Sequence, residues 1–223
     1  RQKETALRAV RENHNVLLWV AIPCTGGCPW QRINCLRSPE TAAKIEAHKA
    51  LKKFFDDSLS NYKEGRDYLG TIGTSRLSPY LRFGEITSNQ IINEFQFHAD
   101  HNLNKHEEHF IKELYWREFS YYILFHFPYV IDKPFNRKYD NFEWNKNYEV
   151  NLNKWKKGET GIRIVDAAMN ELWETGYMHN RTRMITASFL TKNLLIPWQE
   201  GEKWFRDTLL DADIANNTMG WHW

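Results

Sequence analysis

Apolar residues recur at helical spacing over most of the chain. After Ser38-Pro39-Glu40, which sets an N-cap ahead of a proline at the first helical position, Ala43, Ile45, Ala47, Ala50, Leu51, Phe54, Phe55 and Leu59 follow one another at approximately helical intervals. This predicts one amphipathic helix. A polar link, Tyr62 to Gly73, separates it from further helical patterns over Ser88–His98, His106–Phe127, Asn151–Lys157, Ile162–Thr175, His179–Asn193 and Gly201–Leu210. Breaks fall at Phe127-Pro128, Lys133-Pro134, Gly158 to Gly161 and Ile196-Pro197. No alternating strand pattern of useful length competes. The expected fold class is all-α, with helices around a shared core or cavity and without internal repeats.

Composition adds limits more than direction. A hydrophobic fraction of 42% supports a real core, and the 10 Trp, 10 Tyr and 13 Phe serve cores, stacking platforms and electron relays equally well. With a net charge of only +2, no global field points to nucleic acid, so any such site must come from local placement. Cys24, Cys28 and Cys35 have no histidines at metal-ligand spacing, and no metal site is expected; an odd thiol count fits a reduced, intracellular protein, cytoplasmic if bacterial. The apolar run around Val16 to Ile22 is far shorter than the roughly 20 residues of a membrane span. Residues 1–37, rich in Pro, Gly and Cys, read as a preface to a domain over 38–223. Because the chain opens on Arg1 and closes on Trp221-His222-Trp223, a fragment of a longer protein is expected.

Four groups of residues carry candidate chemistry. Gly73-Thr74-Ser75-Arg76-Leu77-Ser78-Pro79 gathers hydroxyls and an arginine at a predicted helix start, which suits phosphate oxygens, or an ordinary capped turn. Glu113, Trp116 and Arg117 share a helical stretch: either a surface ion pair beside a core aromatic, or a pocket wall with a hydrogen-bonding carboxyl and a flat ring for a base. Asn180 and Arg183, with Asp211, Asp213 and Asn217 downstream, suggest an Arg-carboxylate pair and neutral amides beside a polar cofactor. Trp144, Trp198 and Trp221 lie on three segments and are core filling unless something else connects them.

GTSRLSPYLRFGEIT, ELYWREF, KGETGIRIVDAAMNELWETGYMHNRTRMITASFLTKNLLIPW and DADIANN…GWHW, in this order, resemble the flavin domain of the photolyase/cryptochrome family, from about Pro39 to Trp223. Within it the resemblance points to the class I cyclobutane pyrimidine dimer photolyases. It implies FAD as cofactor, with Tyr62, Thr74, Ser75, Arg76, Leu77 and Ser78 matching contacts to its phosphates and ribityl chain. Arg183 and Asp211 match a salt-bridged pair beside the isoalloxazine, Asp213 a flavin contact, and Asn217 the group facing N5.

Glu113, Trp116, Asn180, Met184 and Trp223 match the pocket for a flipped dimer, and Arg66, Arg117 and Arg181 match candidate backbone-phosphate contacts. Trp144, Trp198 and Trp221 match an electron-transfer chain to the flavin. The implied partner is DNA containing pyrimidine dimers, bound by a monomer. An antenna chromophore of folate or deazaflavin type is expected only on an N-terminal domain that these residues do not include.

Two other readings belong to the same fold: a cryptochrome, which senses blue light without repair, and a photolyase for (6-4) lesions, which would carry a His-rich motif where this chain has His179-Asn180-Arg181-Thr182-Arg183-Met184. A helical DNA-binding module with no cofactor is the reading from a third class.

Overall fold

The computed structural model describes residues 39–98 and 102–222. The preface over residues 1–37, the three cysteines, the Ser38 cap and Trp223 lie outside them. The chain divides into two units, Arg1–Ala42 and Ala43–Trp223, and the second holds everything described below beyond the first turn of the first helix.

The described residues are helical, with no strand among them. The α-helices are α1 (Pro39–Asp57), α2 (Tyr62–Gly65, a single turn), α3 (Ser78–Arg82), α4 (Ser88–His98) and α5 (Lys105–His126). These are followed by α6 (Glu149–Lys157), α7 (Arg163–Thr175), α8 (Asn180–Ser188), α9 (Trp198–Thr208) and α10 (Ile214–His222). The polar link of the sequence reading is therefore partly structured: its first residue, Tyr62, is buried and opens α2.

Local chemistry explains most boundaries. Asn104 caps α5 by accepting the N–H groups of His106 and Glu107 at 2.8 and 3.1 Å, while the Glu107 carboxylate accepts the Asn104 N–H at 2.8 Å. Gly158 and Gly176 end α6 and α7 in the left-handed conformation, with φ of 65° and 68°. Pro197 directly precedes α9, which begins at Trp198 and not at Gly201.

Two features depart from the hydrophobic period. The stretch expected to be one helix from His179 to Asn193 changes at Phe189 into a five-residue π-helical turn, which buries Leu190 completely. Over so few residues an apolar period does not separate i→i+4 from i→i+5 bonding. The other is α10, which carries only two buried residues, Ala215 and Thr218, and so shows no amphipathic stripe. Its start is fixed by Asp213, whose Oδ1 accepts the Asn216 N–H at 2.8 Å.

Two apolar clusters form. One joins Ala47, Leu51 and Phe54 of α1 to Tyr62, Leu77, Ile91 and Phe110, with the Phe54, Tyr62 and Phe110 rings 4.6 to 5.4 Å apart. The other is built on Trp155, packed among Val165, Met169, Leu172, Leu190 and Phe205, its indole N–H donating to the Thr186 carbonyl at 3.1 Å. Polar contacts connect the elements of the two clusters: Asp67 to Arg181, Thr74 to Tyr177, and Arg82 to the Ala212 carbonyl. The candidate site lies along this seam.

Gly73 allows the seam to close on the α2 side. A Cβ there would stand 2.2 Å from the Gly65 carbonyl oxygen, a backbone atom that has nowhere to go. Gly73→Ala is expected to lower unfolding free energy by about 1–3 kcal/mol. Gly70→Ala, where nothing lies within 4 Å of the added carbon, should change it by less than ~0.5 kcal/mol; denaturant titration of both variants checks the pair.

Candidate functional site

Helix α8 carries the centre of the seam. Arg183 spends all three guanidinium nitrogens on fixed partners: Nε donates to the Met178 carbonyl at 2.8 Å, and Nη1 and Nη2 donate to the two Asp211 oxygens at 3.0 and 2.8 Å. This fork-on-fork pairing suits a carboxylate with a side-chain exposure of only 6%. Asp211 is put there by its neighbour, since the Leu210 N–H donates to the Gly176 carbonyl at 2.9 Å. Gly176 has to be glycine on two counts: its φ is positive, and a Cβ would lie 2.6 Å from Leu210 Cγ. The sequence Thr175-Gly176-Tyr177 thus sets the acid by which α8 is held.

On the other side of the seam, Thr74 Oγ1 lies 3.4 Å from the Tyr177 hydroxyl, and Arg76, at φ 52°, lays its guanidinium 4.8 Å from the Tyr177 ring centre. Ser75 Oγ accepts the Leu77 N–H at 3.4 Å. These hydroxyls do not cap a long helix: α3 has five residues, with the buried Leu77 at the N-cap position and Ser78 first in the helix. The phosphate-suited groups are therefore side-chain hydroxyls and turn amides, with little help from a helix dipole. Burial pushes the Tyr62 phenol well above its usual range, so it stays protonated.

Asn217 on α10 is locked from behind. Its Nδ2 donates to both the carbonyl and Oε1 of Glu202, at 2.9 and 3.0 Å. Both amide hydrogens are committed, and Oδ1 remains as the acceptor the residue can offer. The other Glu202 oxygen meets Arg206 at 3.1 Å, and burial holds the Glu202 pKa above the ordinary carboxylate value. Asp213, also buried, gives both oxygens to Asn216 as a helix cap.

Glu113 and Arg117, four residues apart on α5, do not pair with each other. Arg66, buried at the end of α2, takes Glu113 Oε1, with His109 Nε2 at 3.0 Å from the same guanidinium nitrogen. Arg117 instead binds Glu118, the Leu81 carbonyl and the Tyr121 hydroxyl, at 3.0 to 3.1 Å. Arg181 grips Asp67 through Nε and Nη2 at 2.8 and 2.6 Å. All three arginines matched to DNA phosphates thus have internal partners and would meet a phosphate only by sharing or exchanging them.

Trp116 is 53% exposed on α5, its ring edge-on to Phe119; on α8, Asn180 and Met184 are also exposed. The N-terminal end of α8 holds a further polar group. His179 Nδ1 accepts the Arg181 N–H at 3.2 Å, which leaves the ring proton on Nε2, a buried donor without a partner among the described residues.

The three tryptophans are placed unequally. Trp198 is buried and meets the His222 ring at 4.6 Å; Trp221 packs on Phe205 at 5.1 Å and Trp155 at 6.4 Å. Gly201 makes room for Trp221, since a Cβ would lie 2.1 Å from Cη2 of its indole. Trp144 sits on a loop against Phe142 at 4.5 Å, its neighbour Asn145 donating to the Leu195 carbonyl at 2.8 Å.

Glu202, His109 and Asp67 belong to the site and were not anticipated. His109 alone left a local trace, standing one helical turn before Glu113; the other two meet their partners across 15 and 114 residues.

The family described as the FAD binding domain of DNA photolyase matches residues 110–223, just over half of the chain. Deoxyribodipyrimidine photo-lyases of Agrobacterium fabrum and Neurospora crassa are 46% and 40% identical to it, over 82% and 81% of this chain and 38% and 30% of theirs. The crystal structure of a bacterial class III photolyase from Agrobacterium tumefaciens aligns with a TM-score of 0.77 at 46% identity, covering 81% of this chain and 37% of that one. A Synechocystis sp. PCC6803 cryptochrome gives 0.74 at 33% identity, over 80% and 38%. The chain therefore spans less than two-fifths of the length of these relatives.

Burial of Glu202 yields a pH-dependent prediction. An acid whose folded pKa is raised stabilises the fold fully below its unfolded pKa and loses that contribution as pH rises through the folded value. Glu202→Gln keeps an acceptor for Asn217 and removes the titration. Relative to this variant, the wild-type protein should lose stability as pH climbs above the ordinary glutamate value of about 4.3, and denaturant midpoints at pH 4 to 8 should diverge accordingly.

Proposed function

Because this chain belongs to the family of FAD-binding domains of DNA photolyases, we propose that it is the flavin-binding part of a light-driven enzyme that splits cyclobutane pyrimidine dimers in DNA. The observation that carries this reading is the double attachment of α8. Through Arg181 it is tied to Asp67, beside the Arg66–Glu113 group, and through Arg183 to Asp211. One short helix thereby joins the candidate cofactor side of the seam to the candidate substrate side.

The residues present fit FAD. A dinucleotide with a pyrophosphate and a polyol chain needs hydroxyls and turn amides, which Thr74, Ser75 and Ser78 provide at the seam. A polar ring needs fixed donors and acceptors, which Arg183, Asp211 and the Oδ1 of Asn217 supply. The partnerless buried N–H of His179 is a further donor that a ligand could satisfy. When bound, FAD supplies the photochemical electron that opens the cyclobutane ring. The protein's own residues hold and orient: Trp116 offers a face on which a base can stack, Glu113 an acceptor for its edge, and Asn180 and Met184 further wall.

Identity of 46% to a class III photolyase supports that branch over the class I assignment suggested by the motifs. Residues 38–223 would form the domain, with 1–37 as a preface. The antenna chromophore, of folate or deazaflavin type, would belong to parts of the longer protein outside these residues. The similarity to a cryptochrome keeps light sensing without repair as the second reading.

Repair is tested with the full-length protein, reduced FAD and an irradiated oligonucleotide. Restored thymines under blue light support the proposal, whereas retained flavin with no dimer splitting supports the cryptochrome reading. Trp116→Ala is expected to weaken binding of the damaged strand by about 1–3 kcal/mol without loss of flavin. Asp211→Ala, which leaves Arg183 without its carboxylate, is expected to release flavin instead; absorbance of the purified variants separates the two effects.

A further inference from the structure

Glu113 is held by a group that is itself held. Arg66 Nη1 carries two hydrogens, and its two contacts use both: one on Glu113 Oε1, the other on His109 Nε2 at 3.0 Å. A guanidinium has no acceptor, so the His109 nitrogen facing it must be unprotonated, which puts the proton of the neutral ring on Nδ1. His109 and Glu113 lie one turn apart on the same face of α5, with Nε2 3.9 Å from Oε1, outside hydrogen-bonding distance. The imidazole therefore reaches the carboxylate through Arg66. Arg66 comes from a different element, the end of α2, where its guanidinium also lies 5.5 Å from the centre of the Tyr62 ring. Its side chain is 9% exposed, against 33% and 34% for His109 and Glu113, so the arginine is enclosed while both of its partners reach solvent.

We propose that His109 is a positioning residue for Glu113: by accepting one Arg66 N–H it fixes the guanidinium plane, directs the second N–H at Oε1, and leaves Oε2 as the oxygen presented to a base. A carboxylate so paired accepts and does not donate, so the base edge it selects is one that offers an N–H, such as the imide of thymine. Without the imidazole acceptor, the Nη1 hydrogen would seek water or the second carboxylate oxygen, and Glu113 would lose its single orientation. The substrate part of this inference rests on the proposed function; the geometry of the three side chains does not.

The test uses the full-length protein with FAD and ring-¹⁵N-labelled histidine, the His109 signal being assigned by its loss in His109→Phe. The expected result is a neutral ring with Nδ1 protonated and Nε2 bare; a proton on Nε2 overturns the proposal. His109→Phe, which keeps a flat ring and removes the acceptor, should weaken binding of a dimer-containing oligonucleotide about fivefold, and His109→Gln, which restores an acceptor, should stay within about twofold of wild type. Flavin content should be unchanged in both. Equal binding by wild type and His109→Phe overturns the positioning role. If the wild-type protein binds no dimer-containing DNA, the functional reading fails, and the tautomer alone then decides whether His109 positions Arg66 and Glu113.

Discussion

A carboxylate with almost no solvent contact needs a cation whose geometry matches its own. Asp211 has this in Arg183, and the pair constrains much of the surrounding chain. For Asp211 to be in reach, α7 must end in a left-handed glycine and Leu210 must return to bond its carbonyl. For Arg183 to meet both oxygens, α8 must start at Asn180, with His179 as its N-cap, and lie against the Met178 carbonyl. Leaving the enclosed Asp211 carboxylate without its arginine would cost several kcal/mol, so these local choices succeed or fail together.

The same logic extends outward. Arg183 fixes one face of α8 and Arg181 ties another to Asp67, so the helix is clamped between elements on both sides of the seam. Close backbone approach does the remaining work: Gly73 against Gly65, Gly176 against Leu210, and Gly201 against the indole of Trp221. Polar groups collect along the seam because most of them have partners there, His179 Nε2 being without one among the described residues. The two apolar clusters on either side offer few such partners; the Trp155 indole N–H in one of them is satisfied by the Thr186 carbonyl.

Three carboxylates in the site are oriented by contacts that also decide what they can do. Asp211 is saturated by Arg183, Asp213 by Asn216, and Glu113 has one oxygen taken by Arg66. A fourth, Glu202, works indirectly by consuming the hydrogens of the Asn217 amide. The site therefore offers acceptors at Asn217 and Glu113, a donor at His179, and an exposed indole at Trp116. This is a combination suited to a flat heterocycle with both donor and acceptor edges.

Most helix positions, their glycine and proline breaks, the all-α class and the family were legible in the sequence, because each depends on residues close together in the chain or on the order of whole motifs. Periodicity along α5 shows that Glu113 and Arg117 share a face, yet tertiary packing decided that Glu113 pairs with Arg66, 47 residues away, and that Arg117 turns to Glu118 and Leu81. Spacing tells which side chains point the same way; it says nothing of which element will be packed opposite, and an enclosed charge is claimed by whichever partner burial brings nearest. The π-helical turn at Phe189 and helix α10 were hidden for a related reason: the first is too short for its period to be distinct, and the second buries too little to show a stripe. His109 and Glu202 acquire their roles only through Arg66 and Asn217, and such second-hand contacts exist only once the chain has folded.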